Sequence, residues 1–326
     1  MYELKRICLP ESPHPVGYIA RAILSEDSCI YLLDISASDV KVFDFDGNLK
    51  QRLFSKGNGP LNLRKPRSLG ISKTQIVVGD VGFYAFKVFD ASGTRLLRSI
   101  FVEGFRPVLG DTKFIDDNQF LTTGFWDGER EYASNSSMRR YPAAVIDSLG
   151  RFIKKIGCYP EEYQQYPALD GTAYLDMNNR SEYVITFSQS PAILFGSVKR
   201  EDFVLWEFVD RRQRYIIPEL AKAEPTEEFW KKINLRIFYN TGIYFLNDSV
   251  FVRSFAIHNE RSVKSGSFVS GKNYCEFFRT DGSLIGEVET KGMLLTARNN
   301  LLVVQEKDEP DNQVIVFYKA IFSVSP

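Results

Sequence analysis

The side chains able to do chemistry are few and widely spaced. Two histidines, His14 and His258, and four cysteines, Cys8, Cys29, Cys158 and Cys275, stand far apart with no C-x-x-C pair, so no zinc-ligand spacing is present. His258 has no G-x-S-x-G elbow to serve as a base. Lys56-Gly-Asn-Gly-Pro60 contains G-x-G but lacks the G-K-[ST] ending and the βαβ context of a phosphate-cradling loop, and it reads as a turn. Asp34 and Asp80 end two matching apolar runs. With Asp111 or Asp127 they could hold a hard cation through oxygen ligands, or they could accept hydrogen bonds that cap a strand corner. What remains is a binding set: Arg64, Arg67, Trp126, Arg139, Arg140, Tyr141, His258 and Arg261. Arginine and aromatic side chains dominate binding hot spots. The plainer reading is a group of solvated loops in which Asp127, Glu129 and Glu131 neutralise Arg139 and Arg140.

The elements that must position these residues form a repeat. An apolar strand is followed by a short polar break, a second apolar strand ending in an aromatic and often Asp, a tight turn with Gly, and a further strand. Its clearest copies run from Cys29 to Phe54 and from Gln75 to Ile100, where Val42-Phe-Asp44 and Val88-Phe-Asp90 lead into turns at Gly47 and Gly93, 46 residues apart. Glycine at those places suits a positive φ in a hairpin. The turn returns at Val145–Ile153 and Phe277–Ile285, with weaker copies at Ala192–Phe208 and Asn312–Phe322, giving six units. A further hairpin precedes each, so every unit supplies four antiparallel strands. Such a period with four strands predicts an all-β fold, a six-bladed β-propeller. Two β-sandwiches are the architectural alternative.

Strands such as Ile30–Leu33, Gln75–Val78 and Leu301–Val304 are apolar on both faces, as expected for sheets packed between neighbouring sheets. The last unit lacks an outer strand. Either Ala320–Val324 or the N-terminal Tyr2–Leu9 supplies it, and the latter protects both termini and closes the ring. No composition shift divides the chain, which predicts one domain over residues 1–326, with a helical insertion near 225–235 where Thr226 can N-cap an amphipathic run.

The runs Ile30-YLLD, Val40-KVFDFDGNLKQ and Lys56-GNGPLNL, repeated as Val77-VGD and Phe86-KVFDASG, make the chain resemble bacterial six-bladed propellers of the TolB-like/NHL-like type, many of them exported lipoproteins of unassigned function. The resemblance covers nearly the whole chain and is sharpest in the first two units. It implies an extracytoplasmic place, periplasmic or at the outer surface, although Met1–Cys8 carries charges and no apolar core that would make a signal peptide.

Composition narrows the partner. Lys+Arg and Asp+Glu are each 41, so the net charge is zero and the electrostatic footprint of a nucleic-acid binder is missing. No run approaches the roughly 18 apolar residues of a membrane span. In a propeller, the turns between second and third strands share a face with the segments between blades, and the long insertions at Phe125–Tyr141, Ala256–Asn273 and Glu306–Asn312 fall there. The expectation is therefore a monomeric, non-enzymatic propeller with no cofactor, binding a protein, peptide or glycan on its insertion-rich face. A metal-dependent hydrolase or lyase with a site at the central channel is the alternative.

Overall fold

The computed structural model describes residues 1–9, 14–126, 141–165, 171–208, 238–259, 271–307 and 313–322. Its strands form six four-stranded antiparallel sheets, the blades of a β-propeller. Blade one is β2 (Ile19–Leu24), β3 (Cys29–Asp34), β4 (Asp39–Asp44) and β5 (Leu49–Leu53); blade two is β8 (Pro66–Ile71), β9 (Gln75–Asp80), β10 (Ala85–Asp90) and β11 (Leu96–Ile100). Blade three is β12 (Phe105–Asp116), β13 (Gln119–Trp126), β14 (Ala143–Asp147) and β15 (Phe152–Ile156); blade four is β16 (Ala173–Met177), β17 (Glu182–Phe187), β18 (Ile193–Ser197) and β19 (Phe203–Trp206). Blade five is β20 (Phe238–Asn247), β21 (Val250–Ile257), β22 (Lys272–Arg279) and β23 (Leu284–Thr290). Blade six takes β24 (Met293–Arg298), β25 (Leu301–Lys307) and β26 (Gln313–Lys319), with β1 (Tyr2–Cys8) as its outer strand. The short strands β6 (Ser55–Lys56) and β7 (Asn62–Leu63) pair in parallel within the segment joining blades one and two.

The chain forms two compact units: Gly17–Met177 with Ser181–Phe208, and Met1–Val16 with Asn178–Arg180 and Val209–Pro326. The first holds blades one to four, with the inner strands β2, β8, β12 and β16 side by side. Ile30, Leu32, Leu33, Ile76, Val77 and Val78 are sealed from solvent, because blades cover both faces of their strands. A buried ion pair crosses this apolar packing. On β2, Arg21 donates its Nε to Gly110 O at 2.7 Å and pairs with Asp111 of β12 at 2.9 Å, its guanidinium 5.1 Å from the Tyr174 ring centroid. The second oxygen of Asp111 accepts the Leu175 N–H at 3.0 Å, so one carboxylate ties blades one, three and four.

In the second unit β20 lies against β24, and Tyr244, Leu246, Val252, Cys275, Leu294, Leu302 and Val304 form the core. The N-terminal strand, rather than Ala320–Val324, completes blade six, pairing with β26 from Tyr2↔Lys319 to Cys8↔Val314. Arg6 reaches Glu306 on β25 at 2.9 Å, where the Tyr318 hydroxyl donates at 2.6 Å. The helix expected near 225–235 lies outside the described residues.

The outer hairpins turn as the sequence requires. Gly47, Gly93, Gly150 and Gly282 adopt φ of 86°, 69°, 82° and 88°. Ahead of them, the Asp44 carboxylate accepts the Asp46 and Asn48 N–H groups, and that of Asp90 the Arg95 N–H. Side-chain donation from Asn48, Ser92 and Ser283 holds Asp44, Asp90 and Asp281 below the ordinary carboxylate range.

Two outcomes are expected. Asp111→Ala strands a buried guanidinium and lowers the unfolding free energy by about 3–5 kcal/mol, whereas Arg21→Met with Asp111→Leu recovers most of that loss; urea denaturation of both variants measures it. The depressed turn carboxylates contribute stability that is present above their ordinary value of 3.8 and lost as pH falls through their lowered values. Between about pH 5 and about pH 3 the wild type should therefore lose more stability than Asp44→Asn/Asp90→Asn/Asp281→Asn. Equal losses in the two proteins count against this account of the turns.

Candidate functional site

One concavity among the described residues of the first unit grows from a single carboxylate. Asp80, at the end of β9, is fully buried. It accepts the N–H groups of Arg64 at 2.7 Å, Lys65 at 2.9 Å and Gly82 at 2.8 Å. It thereby pins the segment between blades one and two to the turn between β9 and β10, and the Val81 N–H adds a bond to Lys65 O at 3.0 Å. A Cβ at Gly82 would collide with Arg64 Cβ, so the close approach needs glycine there. Asp34, in the matching place on β3, accepts Gly17 N–H at 2.7 Å and Ser36 N–H at 3.0 Å and pairs with Lys41 at 2.8 Å. Both aspartates act as corner caps, their oxygens occupied by N–H donors. Among the described residues no three His, Cys, Asp or Glu side chains gather as metal ligands would.

Opposite the turn lies the Lys56–Asn62 loop. Asn62 closes it: its Oδ1 accepts Gly59 N–H at 2.8 Å and its Nδ2 donates to Ser55 Oγ at 2.7 Å. Lys87, on β10, enters from beneath. Its buried ammonium donates to Asn62 O at 2.7 Å, Gly59 O at 3.3 Å and Pro60 O at 3.4 Å, and lies 3.9 Å from the Phe83 ring centroid. Desolvation pushes the Lys87 pKa down, Asp80 opposing it and Arg64 adding to it.

Between loop and turn is a cleft of about 490 Å³ lined by Lys56, Gly57, Asn58, Arg64, Lys65, Val81, Gly82 and Tyr84. The Arg64 guanidinium is held by Asn58 Oδ1 at 2.7 Å and Gly82 O at 3.3 Å, 4.4 Å from the Phe83 ring centroid. Tyr84 is 55% exposed and adopts a left-handed φ of 53°. Ser38, four residues after Asp34 as Tyr84 is four after Asp80, has φ 54°, so this backbone conformation belongs to the corner that the two blades share. Among the described residues three cations and no carboxylate line the cleft, so these walls can stabilise negative charge.

The expected site residues are placed unevenly. Arg64 lines the cleft. Arg67 is the extra residue where β8 slips against β9 between Pro66 and Ser68, and β2 and β20 slip at the same register, so its bulge belongs to the fold. Tyr141, in the same unit, has Lys155 Nζ 5.2 Å from its ring centroid. His258, in the other unit, packs its ring edge-on to Tyr239 with centroids 5.1 Å apart, and burial pushes its pKa down. Trp126 ends β13, its backbone opposite Phe105, while its side chain, like Arg139, Arg140 and Arg261, lies outside the described residues.

Sequence reasoning joined Lys65 to Arg64 and Arg67 as inter-blade candidates but passed over Lys56, Asn58, Tyr84 and Lys87 as members of one site. One signal was available. From Gly47 to Gly79 the chain carries seven Lys and Arg and no Asp or Glu, although its overall charge is zero.

No family model matches the chain, and no curated protein sequence matches it. Solved structures do. A member of the DUF4221 family from Bacteroides vulgatus is 14% identical with a TM-score of 0.72, each chain being covered over 98% of its length. A Bacteroides fragilis protein described as exported is 12% identical with a TM-score of 0.65, covering 98% of this chain and 95% of that one. The WD40 repeats of RRP9 are 11% identical with a TM-score of 0.56 over 97% of both chains. At these identities the likeness is one of fold.

Lys87→Met keeps the bulk of the side chain and removes its donors. Hydrogen exchange of the Gly57 and Asn62 amides, bonded to Leu63 O and Gly59 O, should then accelerate about tenfold or more while core amides of β9 hold their protection. Unchanged loop exchange would show that Lys87 does not organise the cleft wall.

Proposed function

We propose that this protein is a non-enzymatic, monomeric propeller of one domain that binds a protein, peptide or glycan partner. The binding face is the one where turns between second and third strands meet the inter-blade segments. One observation carries the reading: the cleft beside Tyr84, whose cationic walls are built from a second-to-third-strand turn and an inter-blade loop. Loops on a rigid scaffold are where binding residues concentrate. The fold likeness to WD40 repeats supports a protein or peptide partner among the three classes. Likeness to a Bacteroides protein described as exported supports a bacterial protein working outside the cytoplasm, as the TolB-like/NHL-like resemblance implies. Among the described residues no helix is long and apolar enough to cross a membrane.

Peptide and glycan arrays probed with the wild-type protein and with Tyr84→Ala test the proposal. Retention on one class of probe should fall about tenfold or more in the variant, the scale expected for an aromatic anchor. Arrays that retain nothing, or retention indifferent to Tyr84, would remove the cleft as the binding seat.

A further inference from the structure

We propose that the cleft between the Lys56–Asn62 loop and the Val81–Tyr84 turn recognises carboxylate side chains of an acidic, extended peptide segment. The proposal rests on the reading of this face as the partner-binding one and names what that face selects.

Charge is the first argument. Lys56, Arg64 and Lys65 are exposed around one cavity of about 490 Å³. Among the described residues no ion pair engages any of the three, although their chain has as many acids as bases. The nearby carboxylate, Asp80, is buried and spent on backbone N–H donors. Lys56, Arg64, Lys65 and Lys87 outnumber the one buried charge of Asp80, and an entering carboxylate relieves the repulsion that remains.

The second argument is preorganisation. Arg64 commits its Nε to Asn58 and one Nη1 proton to Gly82, and its plane lies over Phe83. A guanidinium carries five N–H donors in a fixed fork, so its other donors are held ready for a planar acceptor. Lys87 holds the backbone of the opposite wall from inside, which reduces the loop entropy lost on binding.

The third argument separates peptide from saccharide. Sugar hydroxyls need acceptors as well as donors. Among the described residues the lining offers no carboxylate, and one of the two acceptor positions of Asn58 Oδ1 is taken by Arg64. Val81 and Tyr84 instead supply apolar surface for the side chains flanking an acidic residue.

Fluorescence anisotropy with a labelled Glu-rich peptide, a Ser/Gly peptide and a Lys-rich peptide tests the assignment on the full chain. Unlabelled oligogalacturonate serves as a competitor. The Glu-rich peptide should bind best, weaken about tenfold in Arg64→Gln and in Lys65→Gln, and weaken as salt is raised. Lys50→Gln, which removes a cation outside the cleft, should leave it unchanged. Thermal melting confirms that the surface variants are folded. A Glu-rich peptide that binds no better than the Ser/Gly peptide, or that ignores Arg64→Gln, overturns the proposal. Stronger competition by oligogalacturonate than by unlabelled Glu-rich peptide overturns it in favour of an acidic saccharide. Failure of the underlying reading looks different. Arrayed neutral or basic peptides that bind through Tyr84 overturn only the acidic assignment, whereas arrays that retain nothing overturn the binding face itself.

Discussion

The first unit depends on a buried carboxylate at the corner where the second strand of a blade hands over to the third. At Asp80 that group gathers N–H donors from its own turn and from the segment leading out of the preceding blade. Each such donor, left buried and unpaired, would cost about 1–3 kcal/mol. The corner therefore dictates where the inter-blade segment runs and, with it, where Arg64 and Lys65 stand. Asp34 repeats the arrangement one blade earlier. In blade six the same strand position carries Glu306, which serves a different end and receives Arg6 of the closing strand and the Tyr318 hydroxyl.

A second recurring position explains how polarity enters these blades. Three residues before the outer turn, the third strand carries Lys41, Lys87 or Glu276, all buried. An unpartnered charge there would be costly, and each blade supplies its own answer. Lys41 lies between Asp34 and Asp39, each at 2.8 Å, and Glu276 receives Arg253 Nε at 2.9 Å. Lys87 has loop carbonyls and an aromatic face instead of an acid. Its hydrogen bonds go to these carbonyls, while Asp80 favours its charged form without a direct bond.

The blades were legible because their signals are local. Asp44-Phe-Asp-Gly47 and Asp90-Ala-Ser-Gly93 encode a hairpin within a few residues, and the twofold apolar strands Ile30–Leu33 and Gln75–Val78 announce packing on both faces. The closing role of Tyr2–Cys8 was open to the same reasoning, since a blade with three strands needs a fourth. The cleft was harder to see. Lys56-Gly-Asn-Gly-Pro60 reads as an ordinary turn, and nothing in its spacing says that Lys87, some 27 residues beyond Pro60, enters beneath it.

By itself the sequence determined the four-strand repeat, the glycine turns and the apolar blade faces, because each follows from periodicity or from a steric demand at one residue; between Tyr2–Leu9 and Ala320–Val324 as the outer strand of blade six, the pairing in the fold decided. Tertiary structure alone decided what the charged residues do. Arg21 could have been solvated but meets Asp111, 90 positions away, and Asp80 could have held a cation but caps the backbone of Arg64 and Lys65. A carboxylate or ammonium takes its role from whichever donors and acceptors the fold brings within about 3 Å, and that proximity is a property of packed blades rather than of neighbouring letters.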